Sequence, residues 1–497
     1  MTENITPPVI LVRPEWRHPP TRIEGDCACA QTDIVHPGPA RIEQRTDALY
    51  RVAPGIDTIP LRNEWRIAFQ PLSYSGPIVL NDSAHLLLSF FKKAHLLASA
   101  VPAFVDRWDC SLINSACQAL RAVELLVPED YMPARCSTKF ATLTAWLHTT
   151  NACNLACSYC YIDKSAEPMT EETGRQAVDA VFRSALAGGF RAVKLKYAGG
   201  EATLNFRLVM LLHAYAQNLA QQYGLELWET VLSNGVALTR PMLDFLREEG
   251  IRLSISLDGV GETHDRQRAF VNGKGSFVHV QRGIDRALGH GVAAFLSITV
   301  TADSVDRLPE AVAFALDRDL PFNLNFYRDH TAITGPAALR ADNERLVAGM
   351  RAAFALIEER LPQRRVIDSL VDRSAFHEPH EYACGAGHNY LVIDQKGGVS
   401  ACQMEIERPL SDVLAADPLG EIRLHSGAWK NVSVTEKEGC RECDWRFWCA
   451  GGCSFLTQRV TGRTDIRSPY CDVYKVLYPD VLRLEGLRML KWESVRH

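Results

Sequence analysis

The sequence predicts an α/β protein: a partial (β/α)6 TIM-type barrel, with an N-terminal winged-helix-like domain and a C-terminal cysteine-rich domain. Three observations carry that expectation. Residues 141–335 alternate six apolar β-like runs with amphipathic helical stretches. Residues 46–130 instead place short β-like pieces ahead of helical ones. Seven of the fifteen cysteines fall after residue 380. A chain of 497 residues, 47% of them hydrophobic, has room for two to four full cores.

The barrel strands are expected at Thr144–Thr149, Ala192–Tyr197, Leu225–Leu232, Ile251–Leu257, Ala293–Thr299 and Phe322–Phe326. Helices fit between them near 170–187, 205–222, 240–249, 276–290 and 304–318. Repeated βα units imply parallel strands with helices outside. The reacting groups of such a barrel belong at the C-terminal ends of its strands.

Residues 1–45 are rich in Pro and polar residues and read as a flexible extension; Cys27 and Cys29 there have no expected role. The domain at 46–130 starts with β-like pieces at Asp57–Arg62, Trp65–Gln70 and Pro77–Leu80. Asn81-Asp82-Ser83 offers an N-cap to a helix carrying Ala84, Leu87, Leu88 and Phe91 on one face. Further helices are expected near Pro102–Trp108 and Leu112–Val127, the last with Arg121 as its only cation. Residues 336–380 read as a helical bridge, 381–480 as the cysteine-rich domain and 481–497 as a tail.

Net charge is −5 and the pI is near 6.3. No basic stripe points to nucleic acid, and no apolar run approaches the roughly 20 residues of a membrane span. The N-terminus has no basic-then-apolar targeting pattern, so a cytoplasmic protein is expected. In that compartment fifteen cysteines argue for metal or redox chemistry rather than disulfides.

The sharpest motif is Cys153-x3-Cys157-x2-Cys160, with Tyr159 between the last two cysteines. Three thiolates can hold three irons of a [4Fe–4S] cube and leave the fourth open. A structural zinc site would want four ligands, and zinc is the competing reading. The spacing resembles that of the radical S-adenosylmethionine (SAM) superfamily. That resemblance implies that Cys153, Cys157 and Cys160 are the catalytic cluster ligands. The open iron then chelates SAM, and one electron splits the sulfonium to make a 5′-deoxyadenosyl radical.

Further segments resemble that superfamily's SAM-binding loops. Gly199-Gly200-Glu201 follows the second strand, with Ala202 where the family has Pro. Ser233-Asn234 follows the third strand, and Ser256 ends the fourth. The resemblance implies SAM contacts at Gly199, Gly200, Glu201, Ser233, Asn234 and Ser256. It pairs Arg268 with the SAM carboxylate, which a guanidinium can bond with two donors. Tyr159 and Val300 are expected against the adenine. Asp258, before Gly259, reads as a turn residue.

The late cysteines run Cys384-x12-Gly397-x4-Cys402, then Cys440-x2-Cys443-x5-Cys449-x3-Cys453, with Cys471 closing the set. This resembles the SPASM domain, a holder of two auxiliary iron–sulfur clusters. It implies one cluster on Cys440, Cys443, Cys449 and Cys471, and another on Cys384, Cys402 and Cys453. Three [4Fe–4S] clusters and SAM are the implied cofactors. His377, His380 or a spare cysteine (Cys110, Cys117, Cys136) could complete the inner cluster, or its fourth iron is open; as ordinary residues the spare cysteines read as core. Residues 46–130 resemble the RiPP recognition element, which binds leader peptides.

Together these parts resemble radical SAM/SPASM peptide maturases. The expected function is installation of a thioether or carbon–carbon cross-link in a ribosomally made precursor peptide, with a flavodoxin or ferredoxin as reductant. Oxidation of a protein side chain in the manner of anaerobic sulfatase maturases is the alternative. Those enzymes carry a basic Asp directly after the second cysteine of this domain, where this chain has Gln403. A small-metabolite radical SAM enzyme and a non-enzymatic electron-transfer or cluster scaffold are further alternatives.

Overall fold

The computed structural model describes residues 6–12, 45, 47–73, 75–132, 140–329, 339–376, 379–425 and 430–492. Cys27, Cys29, Cys136 and His377 lie outside them.

The N-terminal part holds β1 (Ile10–Leu11), β2 (Leu49–Val52), β3 (Asp57–Pro60), β4 (Trp65–Phe69) and β5 (Pro77–Asn81). Then come α1 (Asp82–Phe90), β6 (His95–Leu96), α2 (Ala100–Phe104), α3 (Cys110–Ala122) and β7 (Leu126–Pro128). Asn81 caps α1 by accepting from the Ala84 amide, and Asp109 caps α3 through the Ser111 and Leu112 amides. Helix α3 stops at Ala122, short of the expected Val127, and Leu126–Pro128 becomes a strand paired with β2. Between them Glu124 takes a positive φ of 55°. Arg121 turns inward, over the ring of Tyr50, so α3 does not present it to solvent.

One expectation is corrected here. Residues 6–12 are not part of a loose extension: Ile10–Leu11 pairs antiparallel with β5. The sheet order is β1-β5-β4-β3, so Trp65–Phe69 is an inner strand, and among the described residues its neighbour Asp57–Pro60 lies at a sheet edge.

The central sheet contains β8 (Thr142–His148), β9 (Ala192–Ala198), β10 (Glu226–Ser233), β11 (Arg252–Ser256), β12 (Ala294–Val300) and β13 (Phe322–Phe326), all parallel and in sequence order. The helices between them are α4 (Glu171–Ala187), α5 (Phe206–Tyr223), α6 (Arg240–Glu248), α7 (Glu262–Gln267), α8 (Phe277–Gly289) and α9 (Leu308–Asp317). Every residue of β8 is buried, as a parallel strand covered on both faces should be.

Beyond α10 (Asn343–Arg360) the bridge is not helical: residues 361–376 form turns and irregular backbone. Strand β14 (Tyr390–Ile393) then pairs parallel with β8, and β15 (Gly398–Ser400) and β16 (Ser411–Asp412) extend the same sheet antiparallel. The cysteine-rich part is therefore built onto β8, the first strand of the parallel run, in one nine-stranded mixed sheet. It continues through α11 (Pro418–Leu424), α12 (Arg446–Cys449), α13 (Ser454–Thr461) and α14 (Cys471–Trp492). The expected tail after residue 480 is instead the second half of α14, with Val481, Leu482, Leu484 and Met489 buried.

The N-terminal part shares its core with the rest. Leu11, Ile67, Phe69 and Val79 belong to the same buried cluster as the barrel and α14. Phe69 stacks on Trp445 and meets Trp448 edge-on, at centroid distances of 5.6 and 4.9 Å. The Trp448 indole donates to the Pro71 carbonyl at 2.7 Å. Gly486 of α14 lies so close to the β3–β4 hairpin that a Cβ there would stand 2.8 Å from Leu61.

Candidate functional site

A cavity of about 240 Å³ opens at the C-terminal ends of the parallel strands. Cys153, Cys157 and Cys160, from the loop after β8, line it together with Tyr159. So do Gly199, Gly200 and Glu201 after β9, Ser233 and Asn234 after β10, Ser256 of β11, and Arg268 after α7. Topology explains the gathering: parallel βα units put every such loop at one end of the sheet.

The glycines have a structural reason. The Gly200 amide donates to Thr150 O at 2.7 Å, and the Glu201 amide to Ala152 O at 2.9 Å. A Cβ on Gly200 would stand 2.4 Å from the Ala152 carbonyl oxygen. Only glycine lets this loop lie against the backbone leading into the cysteines. The buried Glu201 carboxylate is fully engaged: Oε1 accepts from Ser233 Oγ (2.8 Å) and Thr203 Oγ1 (2.6 Å), and Oε2 from the Asn234 amide (2.7 Å). It ties the second loop to the third.

The cysteine loop is also pinned from the other side. The Ala156 and Ser158 amides donate to Ala269 O and Gln267 O at 2.8 and 2.9 Å. Burial pushes the Cys157 thiol up to about 11, against the pull of the Arg268 guanidinium. Cys153 is raised by the same cause.

Asp258 is not a mere turn residue, contrary to the expectation. Its Oδ2 accepts from Arg268 Nε at 2.6 Å and from the Tyr159 hydroxyl, and its Oδ1 from the Thr299 amide at 2.9 Å. Burial holds the Tyr159 phenol well above its ordinary value, so it stays a donor. The Asp258 amide donates to His264 Nδ1, and burial pushes that imidazole down to about 4, keeping it neutral.

Val300 departs from the expectation. It is buried in the core and does not line the cavity, whereas Ser297 and Thr299 on the same strand do. Alternation along β12 decides this, since residues two apart share a face. Trp146, Asn325 and Met404, which no sequence motif marks, also line the cavity, as does Gln403. The i, i+2 pattern of Ser297 and Thr299 was the available signal; Asn325 and Met404 offered none.

The thiols suit a cluster. Asn234 Nδ2 lies 3.9 Å from Cys153 Sγ, and Arg268 Nη1 3.8 Å from Cys157 Sγ, so each faces a donor that favours a thiolate. Among the described residues no three His, Cys, Asp or Glu side chains converge to hold a single ion.

In the cysteine-rich part, Cys440, Cys443, Cys449 and Cys471 line one small cavity, walled by Trp445, Tyr474 and Tyr478. Burial pushes Cys440 up to about 11 and Cys449 to about 12. Cys384, Cys402 and Cys453 pack against the main core. His380 is buried, with its amide bonded to Phe447 O. Cys110 is exposed and Cys117 is buried, so the core reading fits only the second.

Residues 147–315 match the family model of the radical SAM superfamily, and this stretch is a radical SAM domain. The sporulation killing factor maturation protein SkfB of Bacillus subtilis is 26% identical over 323 residues, 63% of this chain and 68% of that protein. The PqqA peptide cyclase of Xanthomonas euvesicatoria is 26% identical over 357 residues, covering 66% and 87%. An uncharacterized Methanocaldococcus jannaschii protein is 27% identical over 175 residues, and the chain spans 57% of its length. Among solved structures, anSMEcpe with bound AdoMet and a peptide superposes with a TM-score of 0.56 at 18% identity, over 71% of this chain and all of that one. That likeness is one of fold. No helix among the described residues is long and apolar enough to cross a membrane.

Proposed function

We propose that this chain is a radical SAM enzyme that modifies a ribosomally made peptide, installing a thioether or carbon–carbon cross-link. The carrying observation is the convergence of three cysteines and the loops at 199–201, 233–234 and 256–268 on one cavity. When bound, the cluster and SAM supply hydrogen-atom abstraction from an unactivated C–H bond. Cys153, Cys157 and Cys160 would hold that cluster. The residues around them orient and enclose. Glu201 locks the second and third loops, and Asp258 fixes Arg268 and Tyr159 against the cysteine loop. Lining from Trp146 and Met404 limits water.

Two auxiliary clusters belong to this reading. Cys440, Cys443, Cys449 and Cys471 would hold one; Cys384, Cys402 and Cys453 most of the other. Anaerobic reconstitution should then give about twelve irons per chain, four for each of three cubes. About four irons with firmly held zinc would remove the auxiliary clusters from the proposal.

The N-terminal part, residues 46–130, would bind the leader of the precursor by strand addition. The edge position of Asp57–Pro60 supports this: among the described residues no further strand pairs with it, and the outward N–H and C=O groups of an edge strand can bond an extended peptide. Relatives named for peptide maturation and cyclisation support a peptide substrate. A flavodoxin or ferredoxin would supply the electron.

Formylglycine-type oxidation is the second reading. Gln403, which by resemblance takes the place of the maturases' Asp, lines the cavity, and its Oε1 accepts from the Tyr390 hydroxyl at 3.2 Å. An amide cannot act as a base, which favours cross-linking. Co-expression with short open reading frames next to the gene, followed by mass spectrometry, tests the choice. A loss of two hydrogens from a precursor with linked fragments is the expected result. A precursor left unmodified beside efficient turnover of a small metabolite would overturn it.

A further inference from the structure

We propose that Lys437 is a positioning residue for electron transfer, placing its ammonium between the two late cysteine groups so that it favours the reduced state of the clusters they hold. This rests on the auxiliary-cluster reading above.

Lys437 is fully buried. Its Nζ donates to Ala450 O at 3.2 Å and to Ser454 Oγ at 3.4 Å. Ala450 follows Cys449 of one group, and Ser454 follows Cys453 of the other. The Lys437 carbonyl accepts from the Cys440 amide at 3.1 Å. Burial lowers the Lys437 amine from its ordinary value, and the nearby Cys440, Cys449, Cys384 and Cys453 oppose that by favouring the ammonium. Beyond Ser454 the chain of bonds continues: Ser454 Oγ donates to Asn431 Oδ1 at 3.1 Å, and Asn431 Nδ2 donates to Cys384 O at 2.7 Å and lies 3.8 Å from Cys384 Sγ. A buried polar path thus joins the two cysteine groups through one lysine.

Its counter-charge is the decisive point. The hydrogen-bond partners of the Lys437 ammonium are neutral, Ala450 O and Ser454 Oγ, and among the described residues it makes no salt bridge to a carboxylate. A buried cation without a counter-ion is costly. Cubes held by thiolates are anionic, and each would become more so on reduction. A fixed positive charge in a low-dielectric interior favours that added electron and raises the potential. The lysine stem lies over Gly451, where a Cβ would stand 2.6 Å from its Cδ, so the amine has one place to go.

The test is a redox titration of the reconstituted full-length protein, followed by electron paramagnetic resonance, with iron counted first. A wild-type count of about four irons would overturn the auxiliary clusters themselves, before any variant is read. With about twelve irons, Lys437→Met should move the auxiliary signals to more negative potential. Lys437→Arg should keep them near wild type, and the SAM-binding cluster should not move. Unmoved auxiliary potentials in Lys437→Met at full iron would overturn the role. If Lys437→Met loses iron, Lys437→Gln decides. It removes the charge but keeps a polar donor near Ala450 O, so the auxiliary signals should again move to more negative potential; unmoved signals at full iron overturn the proposal.

Discussion

Arg268 Nε stands 2.6 Å from Asp258 Oδ2, with the aspartate side chain fully buried and the arginine 11% exposed. One carboxylate thereby holds three elements: Arg268 after α7, Tyr159 between Cys157 and Cys160, and Thr299 of β12. Breaking a buried pair by removing one partner costs about 3–5 kcal/mol, because the other charge stays buried. Asp258→Ala should therefore lower the denaturant midpoint strongly and weaken SAM binding with it. Equilibrium unfolding and isothermal titration with SAM check both effects.

Arg268→Ala should weaken SAM binding by about one to two decades, the value of a lost charge-assisted hydrogen bond. Arg266, two residues earlier and exposed, should have no comparable effect when changed to Ala. Equal, small effects in the same titration would place both arginines outside the SAM site.

Cys157→Ala should abolish formation of 5′-deoxyadenosine under dithionite. The Cys157 side chain sits in the cavity at the strand ends rather than in the β8–β13 core, so the variant should remain folded by circular dichroism. Turnover at the wild-type rate would sink the cluster assignment.

Removing residues 1–130 should not leave a stable, SAM-cleaving remainder, although motif positions alone suggest that it would. The deletion takes away Phe69 and Pro71, which cover Trp445 and Trp448, and the hairpin that packs on Gly486. Phe69→Ala alone should cost about 3–5 kcal/mol. A truncated chain that stays monomeric, with wild-type iron in the Cys440 group, would contradict this.

Acid should destabilise the fold through His148. Burial pushes its imidazole down to about 4 from the ordinary 6.5. The unfolded chain binds the extra proton between those values, so stability is complete above 6.5 and declines as pH falls toward 4. The slope approaches about 1.4 kcal/mol per pH unit for one such group. Urea midpoints measured from pH 7 to 4 should fall, and less so in His148→Gln.

Much of the site was legible because its chemistry is local. Cys153, Cys157 and Cys160 lie within eight positions, and each SAM-type loop follows its own strand. Once β8–β13 run parallel and in order, those loops share an end. Val300 faces the core while its neighbour Thr299 lines the cavity, since one residue on a strand is the difference between two faces. Asp258 reads from sequence as a turn residue because its partners lie 10, 41 and 99 positions away. Local pattern carries no trace of such pairings.

By itself, then, the sequence determined the βα alternation, the cysteine spacings and the loops that meet at the cavity. All three follow from short-range periodicity and the spacing of ligands along one segment. Only the tertiary structure decided that β14 joins the barrel sheet beside β8, and that residues 481–492 complete a buried helix. It alone put Phe69 on Trp445 and left Lys437 between two cysteine groups. The physical reason is burial: these contacts bring together surfaces that are apolar or polar for want of water, and which surfaces meet is settled only when the whole chain has packed.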